Sequence, residues 1–375
     1  MISLGLQLLQ HDRAKYIAMV MAIALASFLI QNQASILVAF LGMSGSQIKD
    51  VREANLWIME PDTECFDQAK PLRDTALQTV RGIPGIDWAV PLIKVDTNAR
   101  TDDGKLRTVT LLGVDGTNRI GEPRMSIGTA SPIYLKGNAI VDPGGWALLF
   151  PGTSFTPGRS IRIHNQWLTI AGISNASPPF TGLPVLHVSD RTAKELARGE
   201  TRTTTFIVGR TSQDPDDLSQ YISRTTKWRA YSREGFQTQS YTFYEGQGVP
   251  MIFYITIAIG LTVGAAFTAQ TFIMFIKENA RGITTLKVLG VTHGQLAFML
   301  AAQAAMVMLL GFSLGTGIAA FVTESITSIP FLRGLYIPWQ VVALCSAFMA
   351  VISAVTAAIG FRQVTQLQPV TVFRS

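Results

Sequence analysis

YIAMVMAIALASFLIQNQASILVAFLGM, residues 16–43, contains no Asp, Glu, Lys or Arg. A helix of about 20 mainly apolar residues crosses a bilayer core, because lipid offers the backbone no hydrogen-bond partner. Two readings compete for this stretch. Arg13 and Lys15 followed by YIAMVMAIALASFLI have the form of a secretory signal peptide with cleavage near Ala34. After the polar residues 31–33, however, the apolar pattern resumes as ILVAFLGM. One long uncleaved helix is expected, with the Gln-Asn-Gln patch facing protein or the outer interface.

Three more uncharged runs follow, at residues 249–276, 296–323 and 338–361. The whole chain is 48% hydrophobic and 15% charged, against about a quarter charged in a soluble domain. Buried core helices of a large soluble protein are the alternative, and four runs of this length disfavour it. Runs one and two would each span about 42 Å as helix, more than the ~30 Å hydrocarbon thickness. The excess length is available for tilt or for stalks into an outer domain.

Charge sets the topology. The block at residues 44–248 has a net charge of +1, and the rest of the chain +5. Arg13, Lys15, Lys277, Arg281, Lys287, Arg362 and Arg374 fall at the N-terminus, after run two and at the C-terminus, opposed only by Asp12 and Glu278. Short loops rich in Lys and Arg stay in the cytoplasm. The order expected is a cytoplasmic amphipathic N-terminus (1–15), helix (16–43), outer domain (44–248) and helix (249–276). A cytoplasmic loop (277–295), helix (296–323), short outer loop (324–337), helix (338–361) and cytoplasmic tail (362–375) follow. The fold class is a membrane α-helical protein with four transmembrane helices and a mixed α+β extracytoplasmic domain inserted between helices 1 and 2. The net positive charge requires no nucleic acid.

Within the outer block, β-branched and aromatic content predicts strands at 55–59, 87–95, 107–114, 159–164, 167–173, 185–188 and 205–208. Helices are predicted at 72–81, 191–198 and 215–227, with Asp190 and Asp214 as N-caps of the last two. GIPGI at 82–86 reads as a helix-to-strand turn. His164 and His187 lie in strand-like stretches without a Cys or paired carboxylate at useful spacing, and Asp214, Asp216 and Asp217 form a solvated helix start. Cys65 and Cys345 fall on opposite sides of an interface, so no disulfide and no metal spacing is implied. No G-x-S-x-G, H-E-x-x-H or phosphate loop is present. No catalytic, metal or cofactor residue is therefore assigned.

In the membrane runs, Gly260, Gly264, Gly311 and Gly315 stand at small-xxx-small spacing, which lets helices approach closely. The runs carry only Gln270, Gln303 and scattered Thr and Ser, sparse polarity for a hydrophilic path. The loop KENARGITTLKVLG, residues 277–290, is different. Ile283, Leu286 and Leu289 recur at three-residue spacing as a narrow helical stripe. Gly290 is a stop, and Thr292 caps the next helix. An interfacial helix lying on lipid headgroups is the competing reading.

This layout and loop resemble the permease subunits of ABC transporters of the FtsX/MacB type. Their pattern E-R-x-R-E-I-G-x-L-R-A-L-G-A is similar to this chain at Glu278, Arg281, Ile283, Leu286, Lys287, Leu289 and Gly290. It departs at Gly282 and Thr284, where the family has an acid and a glycine. The DevC-like branch is more similar still: its T-L-K-A-x-G core reads Thr285-Leu286-Lys287-Val288-Leu289-Gly290 here. VGAAFTAQ (263–270), FRQVTQLQPVTVF (361–373, with Gln368 where an acid is usual), RGIPGIDWAVP (81–91) and TVTLLGVD (108–115) are also similar.

The resemblance implies a homodimeric permease of the inner membrane bound to two copies of a separate ABC ATPase. The loop at 277–295 would carry the coupling helix, and a periplasmic adaptor and outer-membrane channel would complete a tripartite efflux assembly. It also leaves open a non-transporting subunit that activates an envelope hydrolase, or a lipoprotein-releasing permease.

Overall fold

The computed structural model describes residues 13–73, 75–197, 204–278 and 280–366. The predicted N-terminal segment up to residue 12, the tail from 367 and the predicted helix end at Arg198 lie outside the described residues. The chain divides into two units.

The helical unit comprises residues 1–38, 250–325 and 335–375. Four of its helices are long and apolar enough to cross a membrane, their apolar stretches being Tyr16–Ser44, Val249–Gln270, His293–Thr327 and Trp339–Arg362. They belong to α1 (Arg13–Ser44), α8 (Val249–Glu278), α10 (His293–Thr327) and α11 (Trp339–Gln366), with the short α9 (Ala280–Val288) between α8 and α10. Met19, Ile23, Ala26, Leu296, Leu300, Val307 and Met349 form the centre of one apolar cluster. In α1, Gln31 is fully buried and faces protein: its Nε2 donates to Ser27 Oγ (2.7 Å) and, across to α10, to Thr316 Oγ1 (2.9 Å). An interhelical bond of this kind is worth about 1 kcal/mol in lipid.

The second unit, residues 39–249 with 326–334, is a mixed α/β domain. Its strands are β1 (Leu56–Met59), β2 (Trp88–Arg100), β3 (Leu106–Val114), β4 (Met125–Ile127), β5 (Asn138–Val141), β6 (Ser160–Ile163), β7 (Gln166–Ser174), β8 (Val185–Ser189), β9 (Phe206–Arg210) and β10 (Arg229–Ser232). They form one ten-stranded network in the order β10-β1-β9-β2-β3-β8-β5-β7-β4, with β6 pairing β2 and β7. All pairs are antiparallel except β3 with β8 and β5 with β7. The helices are α2 (Ser46–Asp50), α3 (Ala76–Arg81), α4 (Pro143–Leu149), α5 (Asp190–Leu196), α6 (Pro215–Thr225) and α7 (Arg233–Gly246).

Burial explains the strand patterns. All four residues of β1 are buried, so it reads as a continuous apolar run, whereas β2 turns to alternation towards its end. Trp57, Phe66, Phe206 and Phe236 make an aromatic core, Phe66 stacked on Phe206 at 5.2 Å and Trp57 edge-on to Phe206 at 5.4 Å. A second core joins Ile93, Leu111, Ile161, Ile170, Leu186 and Trp146.

Each predicted strand is present, with β2 running on to Arg100. Two predictions are corrected. Ser189, not Asp190, caps α5: its backbone is extended and its Oγ accepts from Thr192 N (3.2 Å). The helix predicted from residue 72 starts at Ala76, because Leu72 N donates to Thr204 O (2.7 Å) and its side chain is buried in the sheet core. Asp214 caps α6 as predicted, accepting from Asp216 N at 2.8 Å.

Candidate functional site

The loop between α8 and α10 is a closed helical turn. Leu289 N donates to Thr285 O (3.0 Å), and Val291 N reaches back to Leu286 O (3.2 Å), the six-to-one bond that ends a helix at a left-handed residue. That residue is Gly290, at φ +91°. A Cβ there would meet nothing within 4 Å, so the glycine serves the backbone angle and not space. Thr292 and Gln295 then cap α10 reciprocally: Gln295 N donates to Thr292 Oγ1 (3.3 Å) and Thr292 N to Gln295 Oε1 (3.1 Å).

The faces of α9 differ. Thr284 is buried, and Leu286 and Val291 pack against the apolar cluster of the long helices, where Leu296, Leu300 and Ala357 lie. Gly282, Thr285, Val288 and Leu289 are exposed. At 3.6 residues per turn these four cover an arc of about 120°. Val288 and Leu289 are 63% and 75% exposed, large values for apolar side chains. Leu286 and Leu289 of the predicted stripe therefore do not share one face: Leu286 turns inward and Leu289 outward. The assignments to Glu278, Arg281, Ile283 and Lys287 concern side chains outside those described.

Three of the four glycines singled out sit where a methyl would collide with α1. A Cβ on Gly311 would fall 2.7 Å from Ile23 Cβ, and on Gly315 2.9 Å from Ser27 Cβ and closer still to Ala24 O. A Cβ on Gly264 would meet Ala26. Gly260 has ordinary clearance, 3.6 Å to Ile30.

In the α/β domain, His164 is exposed in the β6–β7 turn at φ +53°, and His187 is buried in β8. Among the described residues no three His, Cys, Asp or Glu side chains group as metal ligands. Cys65 and Cys345 are both free and buried. One feature escaped the sequence reading. Arg333, which there counted only towards a neutral loop, is paired with the buried Asp142 at 2.9 Å. The DPGG stretch at 142–145 was the available signal: a cap, a helix-starting proline and two residues that leave room.

Comparison with known proteins gives two family matches. Residues 17–225 match the MacB-like periplasmic core domain, and residues 254–369 match the FtsX-like permease C-terminal family. Among solved structures, the extracellular domain of the ABC-type transporter YknZ from Gram-positive bacteria is 15% identical, covering 48% of this chain and 98% of its own, at a TM-score of 0.33. The periplasmic region of MacB from Actinobacillus actinomycetemcomitans is 11% identical, covering 51% and 94%, at a TM-score of 0.37. No curated protein matches the sequence.

Proposed function

The chain belongs to the FtsX/MacB-like family of ABC-transporter permeases, and from that premise we propose that α9 is the coupling helix through which a separate ATPase drives it. The observation that carries this reading is the exposure of Gly282, Thr285, Val288 and Leu289 along one side of a helix on which Leu286 and the following Val291 pack into the long helices. A helix seated on a packed cluster and presenting exposed Val288 and Leu289 transmits a push instead of absorbing it. Leu289 and Val288 are the anchors for the partner, and Arg281, Lys287 and Glu278 belong to the same stretch of sequence.

Both termini and the loop at 277–295 face the cytoplasm, by the distribution of Lys and Arg. Two copies of the chain bind two copies of the ATPase. ATP-driven closure displaces α9, and the long helices carry the displacement to the outer domain, which exports or releases an extracytoplasmic substrate. The low polarity of the helices supports transmission over a polar channel. A periplasmic adaptor and an outer-membrane channel complete the assembly, as in the DevC-like branch. The size of the α/β domain, about 205 residues, favours this over a regulator of an envelope hydrolase.

The test is co-purification. The tagged full-length protein, solubilised from its native membranes, is expected to bring an ABC ATPase in equal amount. Leu289→Asp is expected to lose it at unchanged expression and insertion, whereas Leu286→Asp lowers the yield of folded protein. An ATPase retained at wild-type yield by Leu289→Asp, or none with the wild type, sinks the reading.

A further inference from the structure

We propose that Arg333 locks the short connection between α10 and α11 into the α/β domain, and that the locked connection passes force into residues 175–184 of that domain. Residues Ile326–Gly334 belong to the domain body, not to the helical unit. The connection is thus an inserted part of the domain whose two ends continue directly into α10 and α11.

The lock is fully built. Arg333 Nη1 donates to Gly182 O (2.9 Å) and to Pro330 O (2.9 Å), and Nη2 donates to Leu183 O (2.8 Å). Its Nε lies 2.9 Å from Asp142 Oδ2, an ion contact with no aligned hydrogen bond. Asp142 is only 2% exposed at its side chain, Arg333 12%. The carboxylate also caps α4, accepting from Gly145 N (3.1 Å), and takes Val185 N on its other oxygen (2.9 Å). A buried ion pair is tolerable only when its remaining donors and acceptors are satisfied in this way. Gly144 leaves the space: a Cβ there would overlap Arg333 Cδ. Next to Arg333, Gly334 turns at φ +90° against Pro178.

The same segment collects the other helices. Asp50 accepts from Ser177 N (2.7 Å) and Ser177 Oγ (2.9 Å), Gln47 Nε2 donates to Ser177 O (2.6 Å), and Ser46 Oγ donates to Pro178 O (2.8 Å). These three residues are on α2, directly after α1. Phe180 packs edge-on to Phe40 of α1 at 5.7 Å and stacks on Tyr244 of α7, just before α8, at 3.9 Å. Residues adjoining α1, α8 and the α10–α11 connection therefore grip one ten-residue stretch. Gly182 and Leu183 of that stretch accept from Arg333 itself, so a displacement of residues 326–334 reaches it directly.

The direction of force rests on the permease reading, but the lock does not, and the test separates them. Hydrogen exchange is measured on the full-length protein in nanodiscs. Arg333→Met is expected to speed exchange at least tenfold in residues 178–185 and 326–334, with β2 and β3 unchanged. Gly144→Ala, which keeps the guanidinium but fills its space, is expected to release the same two segments. Unchanged exchange there in both variants, or acceleration spread over the whole domain, overturns the lock. On the complex with its ATPase, ATP is expected to alter exchange at 175–184 in the wild type and less in Arg333→Met. An equal ATP response in both overturns the transmission role. Failure to find an ATPase counts against the permease reading alone, because the first measurement needs none.

Discussion

His187 is enclosed in β8, and burial alone pushes its imidazole pKa down to about 4. Its Nδ1 and Gln47 Oε1 have no protein partner, and both residues line a cavity of about 20 Å³ with Asp50, Arg52 and Arg124, space for about one water molecule. The ring is neutral in the folded protein and takes up a proton on unfolding once the pH is below about 6.5. The stability linked to it is complete above pH 6.5 and is lost as the pH falls towards 4, by about 2 kcal/mol at pH 5. Burial raises the pKa of Asp50 and Asp67, so these carboxylates act with opposite sign and gain as the pH falls. His187→Leu retains both. Between pH 7.5 and 5, the full-length wild type in detergent is expected to lose about 2 kcal/mol relative to His187→Leu by denaturant unfolding. Equal pH slopes in the two proteins would assign the acid sensitivity to other groups.

Among the elements, α1 is the one that α8 and α10 are cut to fit. Gly264 of α8 and Gly311 and Gly315 of α10 each face its backbone or small side chains, and close approach of this kind replaces hydrophobic driving force in lipid. The spacing of the glycines is visible in the sequence, but which of them touch a neighbour is not. Gly260 carries the same motif and has room for a methyl. Gly315→Ala is expected to destabilise the solubilised protein by about 1–3 kcal/mol, and Gly260→Ala by less than about 0.5 kcal/mol. A thermal melt in one detergent compares them, and equal midpoints would remove the packing role. The face of α9 has a similar history. Its three-residue apolar spacing is legible, yet Leu286 is claimed by the cluster that includes Leu296 and Ala357, which only tertiary packing decides. Leu289 and Val288 are left exposed.

For the molecule as a whole, the four long helices and the inserted α/β domain were legible because lipid demands uninterrupted apolar runs. The strands were legible because buried β1 and β8 read as short apolar runs. Helix α7 was not: REGFQTQSYTFYEG buries only Phe236, Ser240 and Tyr244, one residue per turn on a mainly polar sequence. Strand β10 has only four residues and pairs with β1 from far along the chain. The Arg333–Asp142 pair joins residues remote in sequence, and charge counting for topology treats Arg333 as a loop cation. The proposed coupling function rests on one surface, the exposed side of α9, and its occupant can be identified directly. A photo-crosslinking amino acid placed at Leu289 in the full-length protein, irradiated in native membranes, is expected to capture an ABC ATPase. The same probe at Leu286 is expected to capture none. Capture of lipid alone at Leu289, with no protein adduct, would contradict the account and make α9 an interfacial helix.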